Sequence, residues 1–225
     1  MSQQLRYTVD IVLCIDATGS MGPVIGSVKS NALRFYQDLS RNMSAKGKSI
    51  DHLRVKVIVF RDFFADGNFA FSQSPFHSLP SANIEFSTFV NGIYAEGGGD
   101  DPESGLEALA VAIKSPWSAL GDKKRQVIVI WSDTSAHKLE KGANSFLSNY
   151  PSNIPKNFDD LTEDWNNAGL INQTGKRLIL YTPAFYPWKE ISDYWENTIH
   201  FPSQAGHGLS DVEYNTIIDT IANSL

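Results

Sequence analysis

The chain has 225 residues, 42% apolar and 20% charged, with 25 acidic against 19 basic side chains and a net charge of −6. That length suits one large domain and that composition a folded globular chain, while a single cysteine, Cys14, excludes an internal disulfide framework. Mild acidity argues against a broad nucleic-acid footprint, which needs a concentrated basic face, but suits carboxylates gathered around a hard cation.

Residues 1–7 are polar and show no charged stretch followed by an apolar one, and the apolar runs at 11–15 and 127–131 are short. A membrane helix needs roughly 20 apolar residues, so the expectation is a cytoplasmic protein without a membrane span. The sequons at Asn42 and Asn172 then read as chance matches.

The first element is a near-continuous β-branched run at 9–15 (VDIVLCI). Such runs suit parallel strands buried on both faces. From Pro23 onward Val24, Val28, Ala32, Phe35, Leu39 and Met43 step by three or four, predicting an amphipathic helix. A second strand follows at 55–60, nearer an edge because it keeps Lys56, and 66–80 predicts an antiparallel edge strand or hairpin. A weaker helix is expected at 86–94, and a firmer one after Pro102 from Leu106, Leu109 and Ile113. Strands at 126–131 and 177–181 alternate with weaker helices at 158–168 and 187–195, and 134–157 is a long excursion broken by Pro151 and Pro155. Val212, Ile217, Ile218, Ile221 and Leu225 predict a terminal helix from about Leu209. The pattern predicts a single α/β domain over 1–225, a Rossmann-like three-layer sandwich. Its sheet is mainly parallel with one antiparallel edge strand and helices on both faces.

In open α/β sheets ligands gather at the carboxyl ends of the strands. Two predicted strands run straight into aspartates there, Asp16 in Asp16-Ala17-Thr18-Gly19-Ser20-Met21 and Asp133 in Ser132-Asp133-Thr134-Ser135. Asp16, Thr18 and Ser20 alternate, so a locally extended turn brings a carboxylate and two hydroxyls together, a hard-oxygen set suited to Mg²⁺. The competing use of Thr18 or Ser20 is to cap the following helix. A third acidic loop, Glu96-Gly97-Gly98-Gly99-Asp100-Asp101-Pro102-Glu103, leads into a helix. Asp101 is the natural N-cap, Pro102 fits the first helical position, and Glu103 leans back over the loop. Three consecutive glycines suggest close approach of backbone to a bound group. Three separated acidic loops on one rim favour a metal site.

These residues resemble the von Willebrand factor type A family and its metal-ion-dependent adhesion site. The 16–21 loop matches the D-x-[ST]-x-S motif between strand and helix, and the resemblance covers roughly 8–225. Where the common form supplies a threonine from the second loop, Gly99-Asp100-Asp101-Pro102-Glu103 resembles the integrin β-subunit variant, in which a D-x-P-E stretch presents glutamate. The resemblance implies metal ligation by Asp16, Thr18, Ser20, Glu103 and Asp133, directly or through water, with Asp100 in the place of an auxiliary cation ligand. It implies Mg²⁺ or Mn²⁺, with Ca²⁺ also compatible, and a protein partner whose carboxylate completes the shell. The expected function is a cation-dependent adhesion or adaptor module, not an enzyme; the chain has no ATP motif, and the resemblance also suggests a partner role in a kinase–phosphatase or ATPase system. The 134–157 excursion and the aromatic-rich 181–195 stretch depart from the family pattern.

Other signals fail. Ala45-Lys46-Gly47-Lys48-Ser49 lacks the first glycine of a P-loop, where Asn42 stands, and follows a helix. The histidines show no zinc-like pairing, and Cys14 reads as a buried small hydrophobe. The alternative function is a Mg²⁺-dependent phosphohydrolase on an α/β fold. A haloacid-dehalogenase pattern wants Asp-x-Asp, and here the third position is Thr18.

Overall fold

The computed structural model describes residues 7–99, 101–139, 147–203 and 214–224. The predicted strands form the centre of one sheet: β1 (Tyr7–Asp16), β2 (Ile50–Phe60), β5 (Lys123–Trp131) and β6 (Lys176–Pro183). Their order, β2-β1-β5-β6, is parallel throughout. Two short strands, β3 (Phe71–Gln73) and β4 (His77–Leu79), both pair antiparallel with β2. The predicted antiparallel edge is therefore made of two successive pieces and is not a hairpin. On the far side β7 (Thr198–Ser203) pairs parallel with β6. Sequence reading had no strand there, because an edge strand that is only half buried carries no apolar run, and Pro202 interrupts it.

Alternation along the strands feeds two cores. Val9, Ile11, Leu13 and Ile15 of β1 face one side with Val55, Val57 and Val59 of β2. There they meet α1 (Gly22–Ala45) and α3 (Asn83–Asn91). All six predicted positions of the α1 stripe, Val24 to Met43, are buried. Val12, Cys14, Ile58 and Phe60 face the other side, covered by α4 (Gly105–Ile113), α5 (Phe158–Asn166) and α6 (Trp188–Tyr194). Each such side chain contributes about 1.5–3 kcal/mol by leaving water, which holds both helical layers against the sheet. Trp165, Trp188 and Trp195 are core residues here, with Trp165 and Trp195 stacked at 5.5 Å.

The short helix α2 (Phe63–Asp66) follows β2, and α7 (Tyr214–Ser224) is the expected terminal helix, with Ile218 and Ala222 buried. Of its predicted positions, Leu209, Val212 and Leu225 lie outside the described residues. The excursion returns to the core through Tyr150 and Ile154, and residues 140–146 lie outside the described set. Among the described residues no helix is long and apolar enough to cross a membrane.

Candidate functional site

Adjacent parallel strands carry the first and third acidic loops. Ile15 of β1 is registered against Trp131 of β5, so Asp16 and Ser132-Asp133 leave the sheet side by side. Ser132 Oγ donates to Asp16 Oδ2 at 2.6 Å. The other carboxylate oxygen, Oδ1, accepts from Thr18 N at 2.9 Å and Thr18 Oγ1 at 2.7 Å. This local turn folds the loop so that Ser20 Oγ lies 3.1 Å from Thr18 Oγ1 and donates to Asp133 Oδ1 at 3.0 Å. Thr18 caps no helix with its side chain, and the N-cap of α1, Met21, has none to offer. Thr18 and Ser20 are thus spent on the acids and not on capping.

The second loop is bound to the first by backbone. Glu96 N donates to Ala17 O and Gly19 N to Gly97 O, each at 3.0 Å. Gly97, Gly98 and Gly99 all have positive φ, +70°, +96° and +62°. A Cβ on Gly98 would lie 2.7 Å from Thr18 Cβ and 2.8 Å from Glu103 Oε1. The glycines therefore answer a close approach to protein groups, where sequence reading expected a bound group. Arg61, at the end of β2, fastens the same loops: Nε donates to Ala17 O at 3.0 Å and Glu96 O at 2.9 Å, and the terminal nitrogens to Phe69 O and Tyr94 O.

Glu103 arrives differently from the expectation. The helix begins at Gly105 with Ser104 as N-cap, so Pro102 is not its first residue and the exposed Asp101 is not its cap. Residues 103 and 104 are committed to other loops. Glu103 N donates to Ser135 O at 3.1 Å and accepts, at its carbonyl, from His137 N at 2.8 Å. Ser104 N donates to Arg61 O, and Ser104 Oγ accepts from Phe63 N. This bridge holds the Glu103 carboxyl beside Gly98 and buries it to 4% exposure.

Burial governs the electrostatics. It pushes Asp16 up to about 6, against the hydrogen bonds from Ser132 and Thr18 that hold it down, with Asp133 adding repulsion. Glu103 is pushed up to about 10 by burial first, then by the charges of Asp16, Asp62, Asp66 and Asp101. Asp133 is also raised, chiefly by burial. Glu103 Oε2 and Asp133 Oδ2 are buried oxygens with no hydrogen-bond partner.

Four of the five predicted residues, Asp16, Thr18, Ser20 and Asp133, thus form one hydrogen-bonded chain, and Glu103 packs against it across Gly98. Asp100 lies outside the described residues. Among the described residues no three Asp, Glu, His or Cys side chains converge as a ligand set by themselves. The donor set that fits a hard cation is mixed, carboxylate with hydroxyl. Sequence reading missed Ser132, whose only signal is its place beside Asp133 at a strand end, and Arg61, which has none.

The fold is that of a von Willebrand factor type A-like α/β domain. The chain superposes over 98% of its length on 96% of the vWF domain of the type V pili tip protein Mfa5 from Porphyromonas gingivalis, with a TM-score of 0.53 and 13% identity. It also superposes over 99% of its length on 31% of the pilus adhesin SpaC from Lactobacillus rhamnosus GG, with a TM-score of 0.55 and 12% identity. No family profile matches the chain. In sequence it is 28% identical over 230 residues to the alpha-protein kinase vwkA of Dictyostelium discoideum, covering 96% of this chain and 33% of the kinase. It is 26% identical over 142 residues to an ariadne-like RING finger protein, R811, of Acanthamoeba polyphaga mimivirus, covering 63% of this chain and 12% of that protein. The chain therefore spans a third or less of the curated relatives it matches.

Proposed function

We propose that the chain is a divalent-metal-dependent protein-binding module, an adhesion or adaptor domain that takes a partner's carboxylate at a Mg²⁺ site of the metal-ion-dependent adhesion type. One observation carries the reading. Thr18 Oγ1 and Ser20 Oγ lie 3.1 Å apart, the first hydrogen-bonded to Asp16 and the second to Asp133, so two hydroxyl oxygens are held together between two carboxylates. With the buried Glu103 Oε2 and Asp133 Oδ2, which have no hydrogen-bond partner among the described residues, they make an oxygen set that suits a hard cation.

Thr18 and Ser20 would hold the ion through their hydroxyls, and Asp133 and Glu103 directly or through water. Asp16, with both oxygens already accepting, orients the hydroxyls. Mn²⁺ or Ca²⁺ suits the same oxygen chemistry. When bound, the ion supplies a positive centre for an incoming carboxylate. This chain's residues cancel its charge, fix its position and exclude wrong partners.

The non-enzymatic reading draws support from Asp16 itself. A phosphohydrolase nucleophile must be reached by its substrate, and Asp16 is fully buried. The adhesin neighbours share only the fold, and the resemblance to a kinase supports an adaptor role beside a kinase or ATPase. The cytoplasmic setting belongs to the same reading, and the buried free thiol of Cys14 is compatible with it.

A pull-down with the chain as bait, run in Mg²⁺ and in EDTA, tests the function. The expected result is a protein captured in Mg²⁺, released by EDTA and lost with Asp133→Ala bait. Capture indifferent to EDTA would overturn the reading.

A further inference from the structure

Beside the acid cluster lies a cleft of about 470 Å³ walled by Phe64, Pro102, Ala136, Lys138, Phe185 and Tyr186. Cleft and acid site share a wall. Pro102 precedes Glu103, and the Glu103 backbone is bonded to Ser135 and His137, which flank Ala136. A single extended partner segment that reaches the acids therefore passes the cleft.

The chemistry of the two places is complementary. Phe64 and Phe185 stand on the cleft walls 53% and 57% exposed. They are part of a group. Of the seven large apolar side chains exposed among the described residues, Phe64, Phe69, Tyr94 and Phe185 all stand on connections at the carboxyl end of the sheet. Scattered apolar side chains on a surface need no explanation, but several gathered at one end of the sheet beside a polar site suit an interface. The cleft also carries positive charge in a chain of net −6. His137 Nε2 is held 3.1 Å from Asp62 Oδ1, while Lys138 is exposed and forms no ion pair with the described residues.

We infer that this cleft receives an aromatic or large aliphatic side chain of the same partner segment that presents its carboxylate to the Asp16–Glu103–Asp133 site, with Lys138 facing a further acidic group. The inference rests on the binding reading above and adds the second anchor that makes it selective. Every protein surface offers carboxylates, so metal-bridged contact alone discriminates poorly. A ring that fits a pocket at fixed spacing from the acid supplies the difference. The cleft falls within the range of pockets that take ligand groups, about 300–1,000 Å³, so it has room for one large side chain.

The test is an array of acetylated heptapeptides with a central Asp in a Gly/Ser background, each flanking position varied through the twenty residues. It is probed with the full chain in Mg²⁺, alongside calorimetric titration of Mg²⁺ into the same protein. Phe, Tyr, Trp or Leu should be enriched at one or two fixed spacings from the Asp. The surface double variant Phe64→Ser, Phe185→Ser should reduce that preference at least tenfold while Mg²⁺ affinity stays within twofold. Equal signal for all flanking residues, or an unchanged preference in the double variant, overturns the cleft assignment while intact Mg²⁺ binding keeps the site reading. A preference for apolar residues that ignores the position of the Asp also overturns it, because it marks an independent apolar pocket. Absence of Mg²⁺ binding with a spaced preference retained overturns the site reading and keeps the cleft.

Discussion

The strand β1 carries two buried aspartates with opposite fates. Asp10, near its start, receives a forked pair of hydrogen bonds from Arg54 at 2.8 and 2.6 Å and a third from Ser118 N at 2.6 Å. Asp16, at its end, meets no cation among the described residues; its neighbours are hydroxyls and a further carboxylate, Asp133. The lower end repeats the theme with Lys176, which donates to Trp165 O at 2.7 Å and to Gln173 Oε1, and lies 4.3 Å over the Trp165 ring. Buried charge at the lower end is matched within the chain and stabilises the fold. At the upper rim it is left unmatched, which costs stability unless something from outside supplies the opposite sign.

The comparison breaks most visibly at Asp10. Asp10→Ala strands the Arg54 guanidinium, so urea unfolding should show a loss of about 3 kcal/mol, the lower range for breaking a buried pair. Asp16→Ala and Asp133→Ala should do the reverse, leaving the unfolding midpoint in EDTA nearly unchanged while lowering Mg²⁺ affinity at least about a hundredfold, or roughly 2.7 kcal/mol. A rim variant that unfolds like Asp10→Ala would erase the distinction between the two ends.

The pH response sharpens it. Asp16 and Glu103 are raised in the folded state, to about 6 and about 10, as is Glu107, to about 7, by burial. Raised carboxyl groups contribute stability that is fully present below their unfolded values near 4 and is lost as pH rises through the folded ones. In EDTA the melting temperature should therefore fall between pH 5 and pH 8. Saturating Mg²⁺ should restore it more at pH 8 than at pH 5, because binding needs the ionised carboxylates. An equal Mg²⁺ increment at both pH values would count against ligation by Glu103 and against the supporting role of Asp16.

Smaller effects separate neighbours. Glu103→Ala should weaken Mg²⁺ binding more than Asp101→Ala, since only Glu103 is buried with an unpartnered oxygen. Arg61→Lys keeps the charge but loses the planar fork that spans four carbonyls, and should cost about tenfold in Mg²⁺ affinity. Calorimetry on the two pairs of proteins reads both.

Much of this was legible before the structure. The α1 stripe and the four central strands follow from period and composition, because elements buried on one or both faces must show it in sequence. Asp16 and Asp133 were legible because strand ends in a parallel sheet share a rim. What escaped depends on contacts between distant segments. The start of α4 is displaced because Glu103 pairs with the 135–137 segment, and no local signal reports that. β7 is written in half-buried residues, and its place is given by the stacking of Trp131, Tyr181 and Phe201 across three strands. Arg61 looks like any polar residue after a strand until the carbonyls it gathers are seen.

The most direct test of the central claim is titration of Mg²⁺ into the EDTA-stripped chain at pH 7.5, repeated in two buffers of different ionisation enthalpy. One saturable site whose heat differs between buffers, reporting proton release from the raised carboxyl groups, is the predicted result. No saturable heat from a folded chain would contradict it.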